Sequence, residues 1–268
     1  MAALEKWLGA RLFDRTTRRL RATEAGNDFY ERAKRILGEL EAAQRSASAA
    51  QSEPRGVLRV SAPVSFAALY LGRALSQFLK AHAHVSVDVQ LNDARVSLLE
   101  ENFDCAIRIG QVSEAHVVAR RVGDARFALC AAPSYINEHG EPKRPHQLVD
   151  HACLRYTLGS ERWRFAAPDG ADESVEVTRR FKSNNGMVLA AAAVEGTGIT
   201  YTPEFIVASA LRSGQLVRLM PRYTTTSAPI YVIYPTAGRH VPMKIRKFIE
   251  FIAQALKESR AEARAQAT

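Results

Sequence analysis

The 268 residues suffice for more than one domain with a sizeable core, and 47% hydrophobic with 24% charged residues excludes a disordered or fibrous chain. A net charge of +9 and a pI of about 9.7 favour a polyanionic partner such as nucleic acid. No apolar run approaches the roughly 18 residues needed to span a bilayer, Met1–Trp7 holds no signal-peptide core, and Cys105, Cys130 and Cys153 have no metal-type spacing. The expectation is a cytoplasmic protein with no membrane partner, no metal and no cofactor.

In chain order, Leu4, Trp7 and Leu8 recur at helical spacing before Gly9. Residues 12–22 read as two short strands with Thr16, Thr17 and Arg18 near the bend. Across residues 11–21 five arginines face one acid, Asp14, for a charge of +4. Thr23 is placed to cap the next helix, with Glu24 and Asp28 following it. From Ala25 to about Ser52 the pattern is helical, with Phe29, Ala33, Ile36, Leu37 and Leu40 on one face and charge on the other. A solitary helix of this length needs a partner, and a second copy of itself is the economical one. Pro54 and Gly56 then punctuate a linker.

Beyond the linker, strands alternate with helices: strands at 57–61, 85–91 and 105–109, helices at 66–81 and 96–101. This order implies parallel βαβ units. A second set follows, with strands at 125–131, 162–165, 175–181 and 198–201, helices at 186–195 and 204–213, then a strand at 230–234 and a helix at 243–258. Two α/β sets joined by two crossings, near Leu129–Pro133 and Ser227–Ile230, make a bilobed molecule with a cleft and a two-strand hinge.

These residues resemble the LysR-type transcriptional regulators over nearly the whole chain. The resemblance is carried by Leu8-Gly9-x-x-Leu12-Phe13-x-Arg15-Thr16-Thr17-Arg18, then Thr23-Glu24-Ala25-Gly26, Gly56–Pro63, Asp104–Gly110, Gly196-Thr197-Gly198-Ile199 and Tyr234-Pro235. It implies a winged helix-turn-helix, a dimerising linker helix and a periplasmic-binding-protein-like effector domain of two α/β lobes. Family members carry some fifty residues of helix-turn-helix ahead of the wing, whereas Met1 here falls near the end of the expected recognition helix. The expected division is therefore a remnant of the winged helix-turn-helix at 1–24, linker helix and hinge at 25–55, and effector domain at 56–268. Lobe 1 would take 56–130 and 231–268, and lobe 2 residues 131–230.

Effector contacts are expected where strands end and helices begin, because free N–H groups and the positive dipole end collect there. Lobe 1 offers Ser61, Pro63, Val64, Ser65 and Phe66, with Ile109 and Gly110 closing another strand. Lobe 2 offers Ser183, Asn184 and Asn185 before a helix, and Tyr201 and Thr202 after a strand. Ser65 is equally a plain helix cap, and Phe66 is better explained as core. DNA phosphates are expected at Arg11, Arg15, Thr16, Thr17, Arg18 and Arg19, which orient a duplex without reading it.

Several constellations fail. His139, His146 and His151 have no zinc spacing and read as surface histidines; there is no GxSxG elbow; and Gly196-x-Gly198 precedes a strand rather than opening a helix. Trp163 between Arg162 and Arg164 fits a strand with the indole inward. No nucleophile–base pair emerges, so no enzyme is expected. The sequence thus predicts a DNA-binding regulator, homodimeric or homotetrameric, answering to a small-molecule effector between two lobes. The alternatives are a truncated ligand-binding oligomerisation protein without autonomous DNA binding, and a periplasmic-type solute-binding protein.

Overall fold

The structure, a computed structural model, describes residues 2–16, 19–47, 53–94, 97–114, 116–177, 179–236 and 241–265. It divides into two compact units, residues 1–53 with 238–243, and residues 54–237 with 244–268.

In the first unit, α1 (Ala2–Leu8) ends where Gly9 turns left-handed at φ 66. β1 (Phe13–Thr16) and β2 (Arg19–Ala22) form an antiparallel hairpin in the register Phe13↔Ala22 to Thr16↔Arg19. The Glu5 carboxylate accepts from the amides of Leu12 (2.8 Å) and Phe13 (3.2 Å), tying the hairpin to α1. Thr23 caps α2 (Glu24–Ala47), its Oγ1 accepting from Gly26 N at 2.9 Å. The helix is described through Ala47, and the rest of the expected span, residues 48–52, lies outside the described residues. Tyr30, Ile36 and Leu37 on α2 are 59–63% exposed in the single chain.

The second unit is a two-lobed α/β domain. Lobe 1 begins with β3 (Gly56–Ala62) and a helix α3 over 64–81, whose segment Ala67–Leu71 is π-helical. β4 (Val85–Leu91) and β5 (Cys105–Ile109) flank β3 in parallel. The helix predicted at 96–101 is replaced by a turn among the described residues. Glu101 N bonds back to Ser97 O, and Asn102 then turns left-handed at φ 57. Asn tolerates that conformation, which stops a helix.

A 15-residue strand β6 (Val117–Ala131) leads into lobe 2; only its second half was read from the sequence. Lobe 2 comprises α4 (Pro133–His139), β7 (Cys153–Tyr156), β8 (Arg162–Ala166), β9 (Asp172–Glu176), β10 (Arg179–Ser183), α5 (Gly186–Val194), β11 (Ile199–Pro203), α6 (Glu204–Arg212), β12 (Val217–Arg218) and β13 (Thr224–Thr225). The single strand expected at 175–181 is in fact β9 and β10, which belong to different sheets. β14 (Ser227–Pro235) returns to lobe 1, where the chain ends in α7 (Met243–Ala265).

One sheet runs in the order β10-β7-β11-β6-β14-β5-β3-β4. β6 pairs with β14 from Val117 to Arg126 and with β11 from Phe127 to Cys130, so it changes partners at the lobe boundary. The register between β6 and β14 shifts at Ile230/Tyr231, opposite Gly123. Leu256 of α7 packs there: a methyl on Gly123 would lie 3.1 Å from its Cδ1. Phe78 of α3 meets Phe248 and Phe251 of α7 at ring separations of 5.8 and 5.5 Å, which closes the helical side of lobe 1.

Lobe 2 has a cluster on each face of its sheet. Leu129, Cys153, Trp163, Phe165 and Ile199 lie on one face, and Ala128, Cys130, Leu154, Leu189 and Val207 on the other. Trp163 is buried between exposed Arg162 and Arg164, as β-alternation requires. His139 and His151 gather around Tyr135. The His139 ring stacks on it at 4.4 Å, and His151 Nδ1 lies 3.2 Å from its hydroxyl. Their role here is to fix α4. All three cysteines are buried, and burial pushes their thiols up, Cys130 and Cys153 to about 12.

Candidate functional site

In lobe 1, β3, β4 and β5 run parallel and deliver their C-terminal ends to one edge, and β7, β10 and β11 do the same in lobe 2. The two edges converge. A β-carbon on Gly186, the first residue of α5, would stand 3.4 Å from Thr202 Oγ1, 3.7 Å from Ser65 Oγ and 2.6 Å from Ile206 Cδ1. A side chain at 186 would collide with Ile206, while the hydroxyls of Ser65 of lobe 1 and Thr202 of lobe 2 both lie within van der Waals reach of this position. Both hydroxyls are buried.

Next to this contact, Phe66 and Tyr70 of α3 stack at 5.8 Å, and Phe205 of α6 meets them edge-on at 6.0 and 5.4 Å. Three rings from two lobes thus form one cluster. A groove of about 340 Å³ continues from them between α3, α6 and α7, with Arg73, Arg212 and Glu258 farther along. A hollow of about 640 Å³ on lobe 2, around Arg144, Glu173 and Arg222, includes none of the predicted residues.

The N-terminus of α3 is capped from a distance. Pro63 has no side-chain cap to give, and Asp93, just past β4, accepts from Val64 N at 3.0 Å. Burial raises the Asp93 carboxyl above its ordinary range. Asp93 also reaches across electrostatically to Tyr156 at the end of β7. Burial and then this negative charge push that phenol up to about 12.

The predicted residues sort unevenly. Ser65, Phe66 and Thr202 lie at the convergence, with Pro63 and Val64 at the entry to α3. Ile109 and Gly110 end β5, where Gly110 N donates to Pro229 O at 2.9 Å. Ser183 and Asn185 are occupied locally. Ser183 Oγ accepts from Asn185 N, and Asn185 Oδ1 accepts from Met187 N (2.9 Å) and Val188 N (3.3 Å). Asn185 is therefore the cap of α5, and Asn185→Ala is expected to cost about 1 kcal/mol in a denaturant melt. Exposed Asn184 stands beside them. Tyr201 departs from the expectation. It lies on the opposite face of β11 from Thr202, among Phe127, Trp163 and Phe165, with its hydroxyl 2.8 Å from Thr226 Oγ1. Alternation along a strand dictates this, since neighbours point to opposite faces. Asp93 and Gly186 escaped the sequence reading because their partners are distant in the chain.

Of the predicted DNA contacts, Arg11 is exposed just before β1, Arg15 and Thr16 lie on β1 and Arg19 on β2. Thr17 and Arg18 lie outside the described residues. Among the described residues no helix is long and apolar enough to cross a membrane, and no cluster of His, Cys, Asp and Glu could hold a metal ion.

Two α/β lobes joined by crossing strands, in a chain that also carries a hairpin and a long helix, define a two-lobed binding-domain fold following a winged module. Residues 51–257 match the LysR substrate binding domain, and residues 1–27 the bacterial regulatory helix-turn-helix of the lysR family. The chain belongs to the LysR family of bacterial transcriptional regulators. It is 33% identical over 253 residues to an HTH-type transcriptional regulator of Haemophilus influenzae, covering 91% of this chain and 85% of that one. The full-length virulence activator AphB of Vibrio cholerae superposes with a TM-score of 0.68 at 26% identity, over 94% of this chain and 86% of that one. CrgA of Neisseria meningitidis superposes at 0.67 with 28% identity, over 96% and 87%.

Proposed function

We propose that this protein is a DNA-binding transcriptional regulator whose DNA affinity is set by a small molecule held between the two lobes. The observation that carries the reading is the convergence of Ser65, at the first helix of lobe 1, and Thr202, at a strand end of lobe 2, on Gly186, a hydroxyl from each lobe within reach of one position. A ligand there touches both lobes at once. It therefore binds one lobe arrangement better than another, and that differential affinity is the whole basis of its effect. Ser61, Pro63, Val64, Ser65, Phe66, Ile109, Gly110, Asn184 and Thr202 form the proposed surround, while Ser183 and Asn185 support it from beneath. Tyr201 is left to the core.

Arg11, Arg15, Thr16, Thr17, Arg18 and Arg19 are proposed to lie against DNA phosphates, and the exposed Tyr30, Ile36 and Leu37 on α2 to meet a second copy. Such a regulator works in the cytoplasm. Retardation of the DNA upstream of its own gene is expected at about 50 mM salt and to weaken steeply by about 200 mM. No retardation at either salt would overturn the DNA half of the reading.

The ligand half is tested on compounds selected by thermal shift from a set of organic acids, sugars and amines. Ser65→Ala combined with Asn184→Ala is expected to weaken a selected compound at least tenfold by calorimetry, a loss of about 1.4 kcal/mol, without unfolding the domain. Unchanged affinity would remove the ligand from between the lobes.

A further inference from the structure

The hollow of about 640 Å³ on lobe 2 takes no part in the interlobe site. Three segments frame it. The loop after α4 brings Glu141, Lys143 and Arg144, and the β8–β9 hairpin brings Asp169 and Glu173. The turn before β13 brings Met220, Arg222 and Tyr223. Tyr223 N donates to Met220 O at 2.9 Å and closes that turn. Met220 is buried and turns left-handed at φ 50, a conformation that a long side chain rarely takes. Strain of this kind concentrates where a backbone is held for a ligand.

The charges lining the hollow are balanced in number but not paired. Lys143, Arg144 and Arg222 face Glu141, Asp169 and Glu173. Among the described residues the salt bridge within this set is Lys143 to Glu141, and Arg144 and Arg222 form none. Asp169 accepts from Ala171 N at 3.0 Å and Glu173 from the Tyr223 hydroxyl at 3.3 Å, both neutral donors. The groups nevertheless share one space. Desolvation first, then the Glu173 carboxylate, raise the Tyr223 phenol, while Arg144 lowers it and Asp169 adds to the rise. Two guanidiniums and two carboxylates thus stand around one cavity without meeting each other.

Their distribution selects the partner. Asp169 and Glu173 both belong to the β8–β9 hairpin, whereas Arg144 and Arg222 belong to the two other segments. A simple anion is drawn to the guanidiniums and repelled by the carboxylates, and a simple cation the reverse. A molecule positive at one end and negative at the other satisfies both sets. The hollow is larger than one free amino acid fills, so the two ends are separated by a body. Ala167, Pro168, Met220 and Pro221 offer that body apolar contact, and the methionine adapts to varied shapes.

We propose that this hollow is a second ligand site, taking a short peptide with free termini, its ammonium on Asp169 and Glu173 and its carboxylate on Arg144 and Arg222. Met220 is part of the cluster against which Tyr201 and Tyr223 pack. The site therefore touches the lobe 2 core on the sheet face away from Thr202.

The full chain is titrated by calorimetry with trialanine, its N-acetylated and C-amidated forms, butylamine and inorganic phosphate. Trialanine is expected to bind with Kd at or below about 1 mM, and each of the others at least tenfold more weakly. Glu173→Gln keeps an acceptor for the Tyr223 hydroxyl and removes the charge, and Arg222→Gln alters an exposed side chain. Both proteins are expected to melt as the wild type does and to bind trialanine at least tenfold more weakly. The losses are expected to be selective. Glu173→Gln loses nothing toward the acetylated peptide, and Arg222→Gln nothing toward the amide, whereas a merely structural role would weaken every peptide alike. The Ser65→Ala/Asn184→Ala protein is expected to keep full trialanine affinity, so this site and the interlobe site fail separately. Trialanine binding more weakly than about 1 mM would overturn the proposal. So would capped peptides, phosphate or butylamine binding as tightly as trialanine, full affinity in either single variant, or a loss in the double variant.

Discussion

Gly198→Ala is expected to destabilise the two-lobed domain by about 3 kcal/mol or more, enough to lower its melting temperature by roughly 6–12 °C. A methyl at 198 would fall well inside contact distance of the Ala152 carbonyl oxygen and 3.0 Å from its carbon. Neither backbone can retreat cheaply. Ala152 O accepts from Ile199 N at 2.8 Å, and Ala152 N donates to the Tyr135 hydroxyl at 2.9 Å. Separating the segments would pull β11 from β7, and with it Ile199 and Cys153 from the cluster that includes Trp163. Gly72→Ala is the control in the same domain. Gly72 sits at φ −57 within α3 with nothing within 4 Å of an added methyl. There the change is expected to raise stability by about 0.5–1 kcal/mol, because alanine loses less backbone entropy than glycine on folding. Thermal melts followed by circular dichroism read both. A Gly198→Ala protein as stable as wild type would show that β7 and β11 are not held at this spacing.

Much of this fold is legible in the chain because burial imposes a period. β4 alternates apolar and polar residues, and β3 and β5 announce themselves as short apolar runs between turns. Trp163 between two arginines signalled its own orientation, and Thr23 its capping role. The pattern misled where one face stayed buried across a break. Val175 and Val177 both enter the core, so the apolar signal continued from β9 toward β10 although the two belong to different sheets. It also misled at 96–101, where a single turn and a left-handed Asn102 replace the expected helix.

The meeting of the two lobes was half visible. Strand ends and helix starts located Ser65 and Thr202, yet the same rule admitted Tyr201, since nearness to a strand end says nothing about which face a side chain takes. What no local pattern could give were Asp93 capping α3 from 29 residues away and the bare Gly186 between the lobes.

The opposite end of the chain yields the other large effect. Gly26→Ala is expected to detach the hairpin from α2, and the structure explains why Thr23-Glu24-Ala25-Gly26 reads as it does. Thr23 works in two directions: its Oγ1 accepts from Gly26 N at 2.9 Å and donates to Arg11 O at 2.7 Å, while Thr23 N donates to Leu12 O at 3.0 Å. Together with the Glu5 carboxylate on the amides of Leu12 and Phe13, these bonds fix the backbone at the start of β1. They also draw the first turn of α2 so close that a β-carbon at 26 would overlap the Leu12 carbonyl oxygen and stand 3.2 Å from its Cα. Only glycine fits. An alanine must lift the helix away, breaking the Thr23 bonds and exposing Leu12, which is otherwise buried. Hydrogen exchange at the amides of Leu12, Phe13 and Thr23 is expected to quicken at least tenfold, with the two-lobed domain unaffected. DNA affinity is expected to fall with it, because the proposed phosphate contacts would lose their fixed geometry on a hairpin that no longer holds one orientation. Gly38→Ala, on the same helix with open space around the new methyl, is expected to leave both readouts at wild-type values. Exchange at residues 12–23 that is unchanged in Gly26→Ala would mean that helix and hairpin are not joined through this contact.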